Sequence, residues 1–307
     1  MIEIVEEVEG WYSIEIAKVD AQGNEIPGTR RQALPPFRNL ITNAGLNRMA
    51  SADDWLAICQ VGTSSASPLP TDTALGARKA SSPDVISRRT AAQSAAPYYC
   101  SNTATFRFSA GSATGNLTEV GVGWASTGGL FSRALIVDTA GAPTTLTVLA
   151  DEVLDVTYQF RAYPPLIDKT GVITLAGDNY EWVGRACNVS FVSASEGWTA
   201  PEAALLSTVG AGGIAYNGTI GAITTFPSGS PAHGATSANL PYSNDSFTRE
   251  GTLTFGLTQG NLSGGIGAVH YKQGMGAYQI GFTPNIPKDG TKVLTLTVRT
   301  TWARKAL

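Results

Sequence analysis

Along this chain apolar and polar residues alternate with a period of two in short runs broken by Gly, Pro, Asn and Ser, a pattern that predicts antiparallel strands joined by tight turns. Residues 14–20 alternate ahead of Gln22-Gly-Asn24 and predict a strand entering a hairpin. One stretch departs from the rule. After Pro35-Pro36, residues 39–50 set Thr42 ahead of Leu46 and Met49, three apart, which predicts a short helix capped by Thr42. Residues 55–61 read as a buried strand, 62–70 as a Ser/Pro-rich loop, and 71–96 as loop with short edges. Strands are then expected over 103–108, 117–124, 130–137 and 153–160, at the short spacing of an antiparallel sandwich or barrel.

Tyr163-Pro164-Pro165 ends this series. Two prolines in succession cannot donate to a central ladder and impose a stiff, extended link, and 307 residues exceed the size at which one core usually stops growing. The expected domains are therefore 1–165 and 166–307. In the second, residues 183–192 read as a strand, and Thr199-Ala-Pro-Glu202 resembles a capping box opening a helix through Leu205 and Leu206, closed by Gly210. Gly-, Ser- and Pro-rich segments run from there to Asn244. The closing strands echo those of the first half. Residues 103–108 and 115–122 match 251–257 and 260–267, residues 130–143 match 278–287, and 153–161 match 293–301. The expected fold is mainly β: two tandem antiparallel β-sandwich domains, jelly-roll-like, each with a short helix, related by internal duplication. The alternative is that two Thr-rich meanders resemble each other by chance.

Composition narrows the class. Apolar residues make up 43% of the chain and charged residues 15%, against roughly 25% charged in typical soluble domains. Net charge is −3, with 12 basic and 16 acidic residues up to Pro165 and 9 and 8 beyond it. Neither half carries the basic excess that phosphate neutralisation demands, so the pairs Arg30-Arg31, Arg78-Lys79 and Arg88-Arg89 read as solvated loop charges, with no nucleic-acid partner. Cys59, Cys100 and Cys187 lack disulfide or metal spacing and are expected as buried free thiols. Glu3, Glu6, Glu7 and Glu9 oppose the basic start of a secretory signal. No apolar run nears the roughly 18 residues of a membrane span.

Catalytic chemistry finds little footing. His233 and His270 are the only histidines, and no Gly-x-Ser-x-Gly elbow is present. Gly210-Ala-Gly-Gly213 lacks the Lys-Ser/Thr of a phosphate loop and reads as a turn. Asp53-Asp54 and Asp151-Glu152 are adjacent acids; on a strand such neighbours point to opposite faces, a poor arrangement for glycosidase work. No enzyme activity, cofactor or metal is expected. Trp124, Phe131, Tyr158 and Phe160 fall inside strand patterns and are expected in the core. Trp11, Tyr12, Tyr98, Tyr99, Trp198 and Tyr242 lie near turns or segment ends and are the interface candidates.

Several segments of the first half together resemble a domain of bacteriophage tail-fibre and baseplate-associated proteins. They are Asn39-Leu-Ile-Thr-Asn-Ala-Gly-Leu46, Thr71-Asp-Thr-Ala-Leu75, Thr118-Glu-Val-Gly121 and Leu130-Phe-Ser-Arg133, in that order, with Val61-Gly-Thr63 and Leu154-Asp-Val-Thr-Tyr158. The resemblance implies a virion structural role in the tail, synthesis in the bacterial host cytoplasm, and assembly with itself, as a trimer or higher ring, and with other virion proteins. A receptor- or glycan-binding module for host attachment and a head-decoration protein are the alternatives. The second half shares the resemblance only through the duplication.

Overall fold

The structure, a computed structural model, describes residues 1–51, 54–191, 197–198, 213–273 and 275–306. It is mainly β, with 53% of residues in strands and 3% in helix. In chain order the elements are β1 Ile2–Lys18, β2 Arg31–Arg38, β3 Leu40–Ile41, α1 Asn43–Ser51, β4 Ile58–Gly62, β5 Arg78–Ser82, β6 Val85–Ala92, β7 Cys100–Phe108, β8 Gly115–Leu117, β9 Glu119–Gly123, β10 Leu130–Leu135, β11 Leu146–Val148 and β12 Glu152–Tyr163. They continue with β13 Lys169–Leu175, β14 Asp178–Ala186, β15 Ile214–Tyr216, β16 Pro231–Ala232, β17 Thr236–Asn239, β18 Thr248–Phe255, β19 Ile266–Gln273, β20 Gly276–Ile286 and β21 Leu294–Arg304.

Two compact units emerge. The amino-half unit is Glu9–Thr90 with Asn102–Arg161; the carboxy-half unit is Met1–Val8, Ala91–Ser101 and Ala162–Leu307. The expected contiguous division after Pro165 differs from this chiefly in the short segments 1–8 and 91–101. For the first, the cause is a ladder: β1 runs parallel to β21, with Ile2 opposite Val298 and Val8 opposite Arg304. Strand β1 also starts twelve residues before the predicted strand at 14–20, because Ile2, Ile4, Glu6 and Val8 all point inward and are buried. A glutamate at an inward position hides that alternation from sequence.

In the amino-half unit, strands order as β1-β12-β7-β6, with β2 beside β1, and as β3-β10-β9-β4-β5. Rings from both sheets meet in the core. Phe131 on β10 lies 4.5 Å from Trp55, 5.8 Å from Phe160 and 6.2 Å from Tyr158, centroid to centroid. Helix α1 begins where the sequence places it: Thr42 Oγ1 accepts the Gly45 N–H at 2.9 Å and donates to the Leu130 carbonyl at 2.6 Å, so one hydroxyl both caps the helix and anchors it to β10. The stretch 71–96, expected as loop with short edges, contains β5 and β6, each at the edge of its sheet; their burial is sparse, which leaves weak alternation to read. Trp124, expected in the core, is half-buried with the Arg48 guanidinium 5.0 Å above its ring.

The carboxy-half unit orders β13-β14-β20-β19-β15-β16 in one sheet and β17-β18-β21-β1 in the other. Gln273 ties the two together: it accepts from Thr300 Oγ1 at 2.8 Å and donates to the Arg249 carbonyl at 3.0 Å. The β13–β14 hairpin, absent from the expectation for this half, closes through Ala176 and Gly177 at φ 50° and 94°, the twist a two-residue hairpin turn needs. The predicted helix from Thr199 through Leu206, with its closing Gly210, lies outside the described residues.

Candidate interaction surfaces and buried charge

Three charged residues of the first half, Asp72, Glu119 and Arg133, meet at one point. Glu119, at the start of β9, is fully buried and accepts from Arg133 Nε at 3.0 Å and from the backbone N–H groups of Ser64, Gly76 and Ala77 at 3.2, 3.0 and 2.8 Å. Arg133 on β10 turns its remaining donors to Asp72 at 2.6 Å and to the Ala66 carbonyl at 2.9 Å. Because β9 and β10 are antiparallel neighbours with Gly121 opposite Arg133, the glutamate and arginine reach the same end of the hairpin, and together they fasten the 63–77 loop to the sheet. Asp72, Glu119 and Arg133 come from three separate segments of the sequence. A second cage lies in the same unit: buried Asp155 receives Arg107 at 2.8 Å and 2.6 Å and Arg30 at 2.8 Å. Arg30, read as a loop charge, is thus part of a network, and Arg31, Arg78, Lys79, Arg88 and Arg89 sit on strands.

The carboxy-half unit contains a buried acid of another kind. Glu6 accepts a hydrogen bond from the Tyr278 hydroxyl, while its Oε2 has no partner among the described residues. Burial pushes its carboxyl up to about 8, against a smaller opposing pull from Lys272. Burial also draws Lys272 down to about 8, and its ammonium donates to the Gly197 carbonyl at 2.9 Å. The Cys100 thiol and the Tyr271 phenol are likewise raised by burial and by the nearby Glu6. This cluster is enclosed, so it governs how β1 is seated and offers no bond to an outside molecule. Sequence reading missed it; the signal was Glu6 falling in phase with Ile2, Ile4 and Val8.

The six aromatic interface candidates divide. Tyr12 and Trp198 are fully buried, which corrects their assignment to an interface: Tyr12 hydrogen-bonds Ser132 at 2.7 Å and packs 4.9 Å from Tyr158, and the Trp198 indole donates to the Cys187 carbonyl at 3.0 Å. The expected strand begins at residue 14, which puts Tyr12 near a segment end; β1 begins at Ile2, so Tyr12 lies inside the strand on the buried face with Val8 and Ile14. Trp11 is half-buried, with Arg38 and Arg161 at 5.3 and 5.2 Å from its ring and its N–H on Glu9 at 2.9 Å. Tyr242 stacks on Trp302 at 5.9 Å.

Tyr98 and Tyr99 lead to an open apolar surface. Tyr99 packs 5.6 Å from Tyr163, while Tyr98, Tyr163, Pro97, Pro164, Leu166 and Ile167 line a cleft of about 440 Å³. Ile167 is 80% exposed and Leu166 59%. The Tyr163-Pro164-Pro165 segment is therefore part of a surface as well as a link, and the apolar pair after it was the overlooked signal. A second, polar cleft of about 590 Å³ is lined by Asp178 and Asn179 at the start of β14, Asn285 near the end of β20, and Gly264, Lys288 and Asp289 on neighbouring loops.

His270 is buried on β19 edge-on to Phe226, with ring centroids 5.0 Å apart. The three cysteines are buried free thiols. Among the described residues no group of three His, Cys, Asp or Glu side chains is placed to hold a metal ion, and no helix is long and apolar enough to cross a membrane. Compared with known proteins, the chain matches no family model, no curated protein and no solved structure.

Proposed function

We propose that this chain is a structural component of a bacteriophage particle, in its tail tip, baseplate or fibre, whose duty is to assemble with copies of itself and with neighbouring virion proteins. The observation that carries the reading is the meeting of Asp72, Glu119 and Arg133 at one buried ion cage. Three of the six segments on which the resemblance rests each contribute a member. A shared ion cage gives that series a physical reason to occur together, since losing Arg133 leaves two carboxylates without their shared cation.

The finer architecture belongs to the same proposal: two β-sandwich domains related by duplication. Strand order supports it. The run β12-β7-β6 in one unit has its counterpart in β21-β18-β17, and β3-β10-β9-β4-β5 in β14-β20-β19-β15-β16. The corresponding pairs β9·β10 and β19·β20, β4·β9 and β15·β19, and β4·β5 and β15·β16 are all antiparallel. Three of the four stretches matched by sequence fall on strands in corresponding places, β7 with β18, β10 with β20 and β12 with β21.

Mass spectrometry of purified particles of the encoding virus should recover the chain, and labelling with an antibody should place it on the tail. Its absence from washed particles sinks the reading. A second reading, attachment to a host surface glycan, is favoured by the polar cleft of Asn179, Asn285 and Asp289. Glycan binding by the purified chain that is lost on Asn285→Ala would move the duty there.

A further inference from the structure

Sheet edges offer unpaired N–H and C=O groups, and proteins that stay apart blunt them with charge, proline or shortness. Most edges of this chain are blunted in one of these ways. Strands β3 and β16 have two residues each, β8 and β11 three, and β17 four. Strand β2 carries Arg31, Pro35, Pro36 and Arg38, β5 carries Arg78 and Lys79, and β6 carries Arg88 and Arg89.

Strand β13 is different. It is seven residues long, Lys-Thr-Gly-Val-Ile-Thr-Leu, without proline and with its one charge at the first position. It pairs in unbroken register with β14 on one side and with no described strand on the other. Gly171 makes room for its cross-strand neighbour: the Trp182 indole lies across that position, and a Cβ there would sit 2.8 Å from the ring. Val172 is 58% exposed, and the exposed Leu166 and Ile167 lead into the strand.

We propose that β13 is an interface at which a second copy of this chain adds its own β13, antiparallel across a two-fold axis. The sequence of the strand fits itself. Full overlap sets Val172 opposite Val172, Thr170 opposite Thr174, Gly171 opposite Ile173 and Lys169 opposite Leu175. No like charges meet, and two Thr–Thr pairs flank a central valine pair, a favourable cross-strand set. An edge open to any chain would need no such match, whereas a two-fold contact requires each residue to suit its symmetry mate. Leu166 and Ile167 supply apolar area beside the ladder, which a strand pair alone lacks. The inference rests on unit geometry and is independent of the virion reading.

Sedimentation of the full chain tests it. The wild-type protein should run at twice the mass of one chain. Val172→Lys, which places two ammonium groups face to face at an exposed position, should run at the mass of one chain with an unchanged strand content by circular dichroism. Val172→Cys should form a disulfide-linked dimer under mild oxidation, because directly opposed residues in an antiparallel pair lie about 4.5–5.5 Å apart at Cα, within disulfide range, and the native thiols are buried. A wild-type chain that stays single at every concentration overturns the proposal. So does a dimer that survives Val172→Lys while Val172→Cys fails to cross-link.

Discussion

Glu119 and Glu6 are both fully buried glutamates on strands, yet their surroundings oppose each other. Glu119 is met by an arginine and three backbone N–H groups, donors that suit a carboxylate. Glu6 is met by one phenol hydroxyl, a lysine that is itself drawn toward neutrality, and an oxygen left without a partner. Burial alone does not decide what a buried acid does. The supply of donors does: where it is complete the acid binds elements together, and where it is short the acid keeps its proton and makes its strand sensitive to pH.

Removing the partner of Glu119 should give the largest effect. Arg133→Met leaves two carboxylates, Asp72 and Glu119, facing each other without their shared cation. A loss of about 3–5 kcal/mol is expected from stranding a buried charge, read by urea denaturation. Survival with near wild-type stability would break the contrast.

Glu6 sharpens it through pH. Its folded value, about 8, lies above its ordinary value of 4.5. Below pH 4.5 both folded and unfolded chains hold the proton and the stabilisation is complete; from there to pH 8 the unfolded chain releases it first, so stability falls as pH rises. The expected loss is a few kcal/mol. Lys272, lowered to about 8, acts in the opposite sense and in a later window, from about pH 8 to 10.5. Glu6→Gln should remove the decline between pH 4.5 and 8 and be more stable than wild type at pH 8. A wild-type protein with the same pH profile as Glu6→Gln would show that the acid is ionised throughout.

Gly45 tests how closely the cage's unit is packed. An alanine in a helix ordinarily adds up to about 1 kcal/mol over glycine. Here its methyl would overlap the Phe131 carbonyl oxygen, so Gly45→Ala should destabilise by about 1–3 kcal/mol, seen as a lowered melting temperature. The smallest effect belongs to an exposed pair. Lys18 lies 3.3 Å from Asp151 with both side chains about half exposed, and Lys18→Ala should change stability by less than about 1 kcal/mol.

Much of the fold was legible because alternation reports which strand face is buried. Strands β7, β9, β10 and β12, the Thr42 cap and the inward Leu46 and Met49 follow from local pattern. Local pattern fails where a position breaks its own rule: Glu6 interrupts the inward series of β1, the arginines of β6 mask a strand, and Ala176 occupies a turn position usually held by Asn or Gly. The aromatic candidates show the same limit: Tyr12 lies inside β1 and is turned inward, whereas Tyr98 precedes β7 and lines an open cleft.

By itself the sequence determined the strand-and-turn character of the chain, the Thr42-capped helix α1, the low charge and the echo between its closing strands, because each depends on neighbours within a few residues. Only the tertiary structure decided that residues 1–8 join the far end of the chain, that Asp72, Glu119 and Arg133 meet, that Glu6 meets a single hydroxyl donor among the described residues, and that β13 pairs with a described strand on one side alone. Those outcomes depend on which strands lie side by side, and pairing across long separations is set by the packing of the whole sheet.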